Sequence, residues 1–348
     1  VCNNVITSNC VDLSGDLVAT YLADIPEDPT PDNPYYIAIH PDNNKISVIA
    51  SGAEVAGQVS INEFTDIRII SIDIDNSTNS NTLTNYQVPV LLTHTLGMEP
   101  NFSDVRFRNN AEQELDFWLE DFTDSVEALF WVEVDSVAAS AVTSIQAVYY
   151  DTGSFATTSS VEEVFIPDQM YIESRECTNS TLCYYTDNNN EFEQLISSSP
   201  TLLGSGYVNS INQGTNPYGA DQYYFLRHRV LFVPDVTGAH GFRVNSDDAS
   251  EVELGGAGDT NSTDVIAHWY GGHANSSGCN TGGTEGARNF TAGVPVWLDY
   301  RMNEWGGGQL ARMCVDDGSG YQVFSTANFP GQIFTRQYVS PEPSVTVN

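Results

Sequence analysis

Short runs of β-branched and aromatic residues, cut every few positions by Gly, Pro, Asn or Asp, fill this chain and leave helices little room. Tyr35-Tyr36-Ile37-Ala38-Ile39 and Lys45-Ile46-Ser47-Val48-Ile49 flank His40-Pro41-Asp42-Asn43-Asn44, the pattern of a β-hairpin. The same texture continues at 67–74, 88–92, 128–134 and 145–150, and again at 224–232, 241–244, 294–300 and 309–315. Helical periodicity is confined to 11–22 and 110–120. These patterns predict a mainly all-β protein built from antiparallel β-sandwiches in tandem.

A chain of 348 residues exceeds one small core and divides into two or three domains. Residues 1–65 carry a close cysteine pair and the hairpin, and read as a small Cys-stapled N-terminal region. Residues 66–155 form a compact strand-rich block. The remainder, 156–348, is a linker, polar and rich in Asn, Ser and Gly at 185–220, followed by a last strand-rich block. Its end, Pro341-Glu342-Pro343-Ser344, reads as a linker entering a further domain.

Charge narrows the function. The sequence holds 46 acidic residues against 12 basic ones, with Lys45 the only lysine. Such a surface repels phosphate backbones, which sets nucleic acid aside and favours divalent cations. No apolar run is long enough to span a bilayer, and the chain opens on Val1-Cys2 without a basic-then-apolar leader. It therefore reads as a mature or trimmed ectodomain. Its six cysteines, Cys2, Cys10, Cys177, Cys183, Cys279 and Cys314, contain no C-x-x-C pair, which argues for disulfides in an oxidising compartment. Two short spacings favour local bridges, Cys2–Cys10 and Cys177–Cys183, and leave Cys279–Cys314 as the third.

Three stretches resemble known families. Cys10-Val11-Asp12-Leu13, Tyr21-Leu22-Ala23-Asp24-Ile25-Pro26-Glu27-Asp28-Pro29 and Ile46 to Glu54 resemble the C-terminal part of type IV pilins, over about residues 1–55. Asp104-Val105-Arg106-Phe107, Leu115-Asp116-Phe117-Trp118, Phe130-Trp131-Val132 and Val148-Tyr149-Tyr150-Asp151 are similar to an uncharacterised β-sandwich of large bacterial and archaeal surface proteins. The aromatics there alternate along strands, as core residues do.

The third stretch, about 200–345, resembles the protective-antigen-type (PA-fourteen) sandwich of flocculins, epithelial adhesins and bacterial ice-binding adhesins. The resemblance rests on Asn245-Ser246-Asp247-Asp248 before Glu251-Val252-Glu253-Leu254, then His268-Trp269-Tyr270, Val296-Trp297-Leu298-Asp299-Tyr300 and Asn303-Glu304-Trp305-Gly306-Gly307. Ala249 stands where the family usually has Gly. Adjacent aspartates on an ordinary strand face opposite ways and cannot share an ion. In the adhesin branch a cis peptide between them turns both carboxylates to one side. The resemblance therefore implies a calcium ion held by Asp247, Asp248 and Asn303, with backbone carbonyls around Met302, Trp305 and Gly307 completing an oxygen shell. It further implies a sugar on the ion's open positions, contacted by His268, Trp269, Glu304 and Trp305.

Other constellations point to no chemistry. Asp316-Asp317-Gly318-Ser319-Gly320 reads as a hairpin loop, and His228 and His240, with Arg227 and Arg229, read as solvated strand positions. No G-x-S-x-G elbow, H-E-x-x-H helix or phosphate loop is present, and the chain is expected not to be an enzyme. The leading expectation is a calcium-dependent glycan-binding adhesin, extracellular and on a cell surface or pilus, with other pilus or surface-layer subunits as further partners. The alternatives are a structural surface or filament subunit in which calcium is only a staple and, last, a glycoside hydrolase.

Overall fold

The computed structural model describes residues 35–39, 46–50, 67–150, 159–177, 186–198 and 200–348. The chain divides into two compact units, one of residues 1–68 with 150–153, the other of 69–149 with 154–348. In the first, the expected hairpin is present: Tyr35–Ile39 pairs antiparallel with Ile46–Ala50. The rest of the pilin-like stretch, with Cys2 and Cys10, lies outside the described residues.

Among the described residues of the second unit, the regular elements are strands and two short helices, Val161–Val164 and Asn189–Ser197, and the strands form two sandwiches. In the first sandwich a five-stranded sheet (Ser344–Val347, Ile67–Asp75, Val142–Tyr150, Arg106–Asn109, Glu114–Leu115) faces a three-stranded one (Leu83–Thr93, Glu127–Val137, Phe117–Thr123). Alternate residues of both sheets, among them Ile72, Val88, Phe107, Phe117 and Phe130, fill the core between them. The periodicity at 110–120 suggested a helix. The chain there instead forms the strands Glu114–Leu115 and Phe117–Thr123, because Leu115 and Phe117 alternate into that core. The supposed C-terminal linker is also a strand: Ser344–Val347 pairs with Ile67–Asp75, so the chain returns to the first sandwich at its end.

The second sandwich is thus inserted before that last strand. Its larger sheet runs Ile166–Pro167, Ile333–Thr335, Tyr224–Phe232, Val296–Glu304, Ser250–Gly256, Thr260–Trp269, with Met170–Glu176 and Leu202–Val208 joined alongside Tyr224–Phe232. The smaller runs Asn212–Gln213, Leu310–Asp316, Gly238–Asp247, Gly286–Phe290. Between them lie Leu226, Phe232, Val244, Val252, Tyr300, Met302 and Met313. Cys279–Cys314 is a disulfide, as the spacing suggested, and ties the 270–283 loop to the smaller sheet. Cys177 is disulfide-bonded, and Cys183 lies outside the described residues.

The helix Asn189–Ser197 escaped the sequence reading, although Asn188 caps it by accepting from the Glu191 amide. Phe192 and Leu195 on its buried face pack on Phe225, Cys177 and Ala249. The helix covers the face of the larger sheet turned away from the core. On that face Arg301, fully buried, pairs with Glu193, Glu251, Glu253 and Asp299. Burial pushes the Asp299 carboxyl up, but Arg227 and Arg301 outweigh it and hold the group well below the carboxylate range. His228, Arg227 and His240 are not solvated as the sequence suggested: all three are buried, His228 completely and against Tyr300.

The two sandwiches meet through Trp118, Trp131, Phe165, Leu231, Trp297 and Phe334. One carboxylate, Glu120, sits at this seam. It accepts from the indoles of Trp131 (2.7 Å) and Trp297 (2.9 Å) and from the Gly258 amide (2.9 Å).

Candidate metal centre

Three strand ends converge at one pole of the second sandwich. Gly238–Asp247 ends on Asp247, Ser250–Gly256 begins three residues later, and Val296–Glu304 ends on Glu304. The peptide between Asp247 and Asp248 is cis, as the lectin resemblance implied. Carboxylate oxygens of Asp247, Asp248 and Glu304 all lie within 4.8 Å of one another. Three like charges this close repel strongly unless a cation or protons intervene.

Their environments differ. Asp248 is half-buried and accepts from the amides of Trp305 (2.9 Å) and His273 (3.1 Å). Burial, and then the Asp248 charge, raise the Asp247 carboxyl. Glu304 is fully buried, and neither of its oxygens has a hydrogen-bond partner of good geometry, the Gly306 amide only opposing the rise in its pKa. Burial, followed by the charges of Asp248 and Asp247, pushes its pKa up to about 9. A Cβ at Gly308 would sit 2.6 Å from an Asp247 oxygen, so only glycine lets the loop backbone come this close. Two adjacent acids, a third that is buried and unpartnered, and a backbone pressed against them fit a hard cation.

The sequence reading assigned Glu304 to the sugar, whereas the structure brings its carboxylate in among the aspartates. Asn303 is buried beside it, its amide donating to the Ala249 carbonyl (2.9 Å) and its register partner being Phe225. Met302 lies in the core strand between its partners Leu226 and Ser250. Gly307 has φ +118°, and its carbonyl accepts from Gln309 (2.8 Å).

The aromatic candidates separate. Trp269 stacks on His273 (3.8 Å, 12°), whose amide binds Asp248, so this pair stands at the carboxylates. His268 instead stacks on Tyr270 (4.2 Å), and the Tyr270 hydroxyl donates to Glu251, which places His268 on the helix-covered face. Trp305 packs against Cys177, Phe192, Phe225 and Ala249 and meets Tyr223 edge-on at 4.9 Å. Sequence reasoning missed His273, which no motif marked, and the third carboxylate, which the strand position after Asn303 concealed.

A family model described as a domain of unknown function (DUF2341) matches residues 101–189. No curated protein matches the chain in sequence. Among solved structures it is similar to the PA14 sugar-binding domain of an RTX adhesin, at 12% identity over 50% of this chain and 100% of that one, with a TM-score of 0.37. It is similar also to an epithelial adhesin A domain of Candida glabrata solved with Galβ1-3GlcNAc, at 13% identity over 51% and 92%, TM-score 0.36. An anti-sigma factor domain-containing protein of Clostridium clariflavum matches at 11% identity over 87% and 92%, TM-score 0.34.

Proposed function

We propose that the second sandwich binds carbohydrate through a calcium ion held by Asp247, Asp248 and Glu304, and that the chain serves as an extracellular, surface-displayed adhesin. The observation that carries this reading is the buried Glu304 carboxylate, without hydrogen bonds, facing two aspartates within 4.8 Å. Three carboxylates supply hard oxygens and more than neutralise a divalent ion. When bound, such an ion offers open positions to a pair of sugar hydroxyls. The chain's own residues do the rest. The amides of Trp305 and His273 fix the Asp248 carboxylate, and the Trp269–His273 stack walls one side. The cysteine bridges suit an oxidising exterior.

The deep burial of Glu304 also suits a second reading, in which the ion is only a staple within a structural subunit. A glycan array and a thermal melt, each run with calcium and with chelator, separate the two. Calcium at a hundredfold excess over Kd adds about 2.7 kcal/mol to the folded state and raises the melting temperature. Under the adhesin reading glycan binding vanishes with chelator and in Asp248→Asn. A melt that responds to calcium on a protein that binds no glycan leaves the staple. A melt indifferent to calcium removes the metal site.

A further inference from the structure

Two residues before Asp247, on the same face of its strand, stands Asn245. That face is turned from the core, which Val244 enters on the other. The segment 271–280, which forms neither helix nor strand, lies over it. On the neighbouring strand Arg312 is the register partner of Asn245, and Cys314 that of Arg243. These two grip the far end of the segment, Cys314 through its disulfide to Cys279 and Arg312 by donating to the Gly278 carbonyl (2.7 Å). Asn245 grips the middle. Only 1% exposed, it donates to the carbonyls of Ser276 (2.8 Å) and Gly278 (2.7 Å) and accepts from the Ser276 amide (2.8 Å). The near end of the same segment meets the acids. The His273 amide donates to Asp248 (3.1 Å), and the Asn275 amide donates to Asp247, opposing the rise of its pKa.

We infer that Asn245 is a positioning residue for the metal centre, acting through the 271–280 segment, so that order in that segment and affinity for the cation form one coupled equilibrium. The inference rests on the ion site under Proposed function. Asn245 itself offers the ion nothing, since its oxygen and its amide group are both engaged with the segment. What it supplies is a seat. Backbone without regular structure has no ladder to hold it, and here one side chain answers three of its polar groups. With the seat removed, the amides of His273 and Asn275 leave the aspartates, and a cation must order the segment as it binds, which lowers its affinity. With the seat in place the two aspartates are aimed before any ion arrives.

The test measures calcium binding by titration calorimetry on wild type, Asn245→Ala, Asn245→Asp and Arg312→Gln. Hydrogen exchange of 271–280 and of the core strand Tyr224–Phe232 is followed in chelator, where no ion contributes. Asn245→Asp adds a negative charge beside the aspartates, and Arg312→Gln removes a positive one, so charge alone predicts tighter calcium in both. Positioning predicts the opposite sign. Aspartate cannot donate to the Ser276 and Gly278 carbonyls, so both Asn245 variants should lose roughly tenfold in calcium affinity, and Arg312→Gln, which frees one grip on Gly278, about threefold. In chelator 271–280 should exchange faster in all three while Tyr224–Phe232 stays protected. If wild type binds calcium and Asn245→Ala binds it equally well, or if Asn245→Asp binds it more tightly, the positioning role is wrong and the ion site stands. Should the Asn245 variants loosen the core strand too, the surface variant Arg312→Gln decides, and an undiminished calcium affinity there overturns the inference. If wild type binds no calcium, the ion-site reading falls and takes the coupling with it.

Discussion

Glu120 offers the sharpest test of how the two sandwiches hold together. Its carboxylate receives three donors at 2.7–2.9 Å: the indole of Trp131 from the first sandwich, the indole of Trp297 from the second, and the Gly258 amide. Burial raises its pKa, these hydrogen bonds opposing the shift, so the group spends part of their gain on its own desolvation. Truncation to Ala removes the acceptor and leaves all three donors at a seam lined by Trp118, Phe165 and Phe334. A buried donor without a partner costs about 1–3 kcal/mol. Allowing for water entering the space left behind, Glu120→Ala should cost about 3–6 kcal/mol, and Glu120→Gln, which keeps one acceptor oxygen, about 1–2 kcal/mol. Urea denaturation followed by tryptophan fluorescence, with scanning calorimetry alongside, measures both. Because the two indoles belong to different sandwiches, the loss should appear as one transition moving, or splitting into two as the halves uncouple. A Glu120→Ala protein within 1 kcal/mol of wild type would refute the argument that this carboxylate clamps the seam.

Two further outcomes are expected. Replacing Cys279 and Cys314 together by Ala opens a loop with a sequence separation of 35, for which chain entropy alone gives about 3–4 kcal/mol of lost stability, measurable by urea denaturation. An unchanged midpoint would show that the loop gains nothing from closure. His228 is buried without a hydrogen-bond partner on either ring nitrogen, and burial depresses its pKa from 6.5 to about 3. The unfolded chain therefore takes up the proton first. The stability this neutral histidine preserves is whole above pH 6.5, is lost as the pH falls towards 3, and at pH 5 has dropped by about 2 kcal/mol. Between pH 7 and 5, His228→Phe should flatten the stability curve by that amount relative to wild type; parallel curves would mean that His228 is protonated in the fold.

The strands were legible in two ways: Tyr224–Phe232 as apolar, strand-forming triplets on either side of Arg227-His228-Arg229, and Val296–Glu304 because Leu298 to Asn303 alternates apolar with polar. What alternation cannot say is whether the polar face meets water. Glu251, Glu253, Asp299 and Arg301 have the spacing of a solvated face, yet a helix lies over them. That helix did leave a signal, an Asn188 cap with Glu191 three residues on and Phe192, Leu195 and Ile196 at helical spacing, inside a stretch whose polar composition masked it. The pair Asp247-Asp248 was readable as a motif. The third acid was not, since only folding brings the end of Val296–Glu304 to the end of Gly238–Asp247. The return of Ser344–Val347 was hidden by Pro341 and Pro343, which mark a turn into a strand as readily as a flexible tail.

That return has a mechanical consequence. The second sandwich begins and ends on two short strands that lie side by side, Ile166 opposite Thr335 and Pro167 opposite Phe334. A pull on anything held at its far pole is handed to the first sandwich through both connections at once, so the tension is divided between them. A module joined by a single linker would bear all of it on one strand. The hydrogen bonds from Gln337 to Thr84, Asn85 and Gln87 and the Glu120 clamp act beside those connections. Load arriving at the seam must therefore shear several contacts together instead of peeling them one by one.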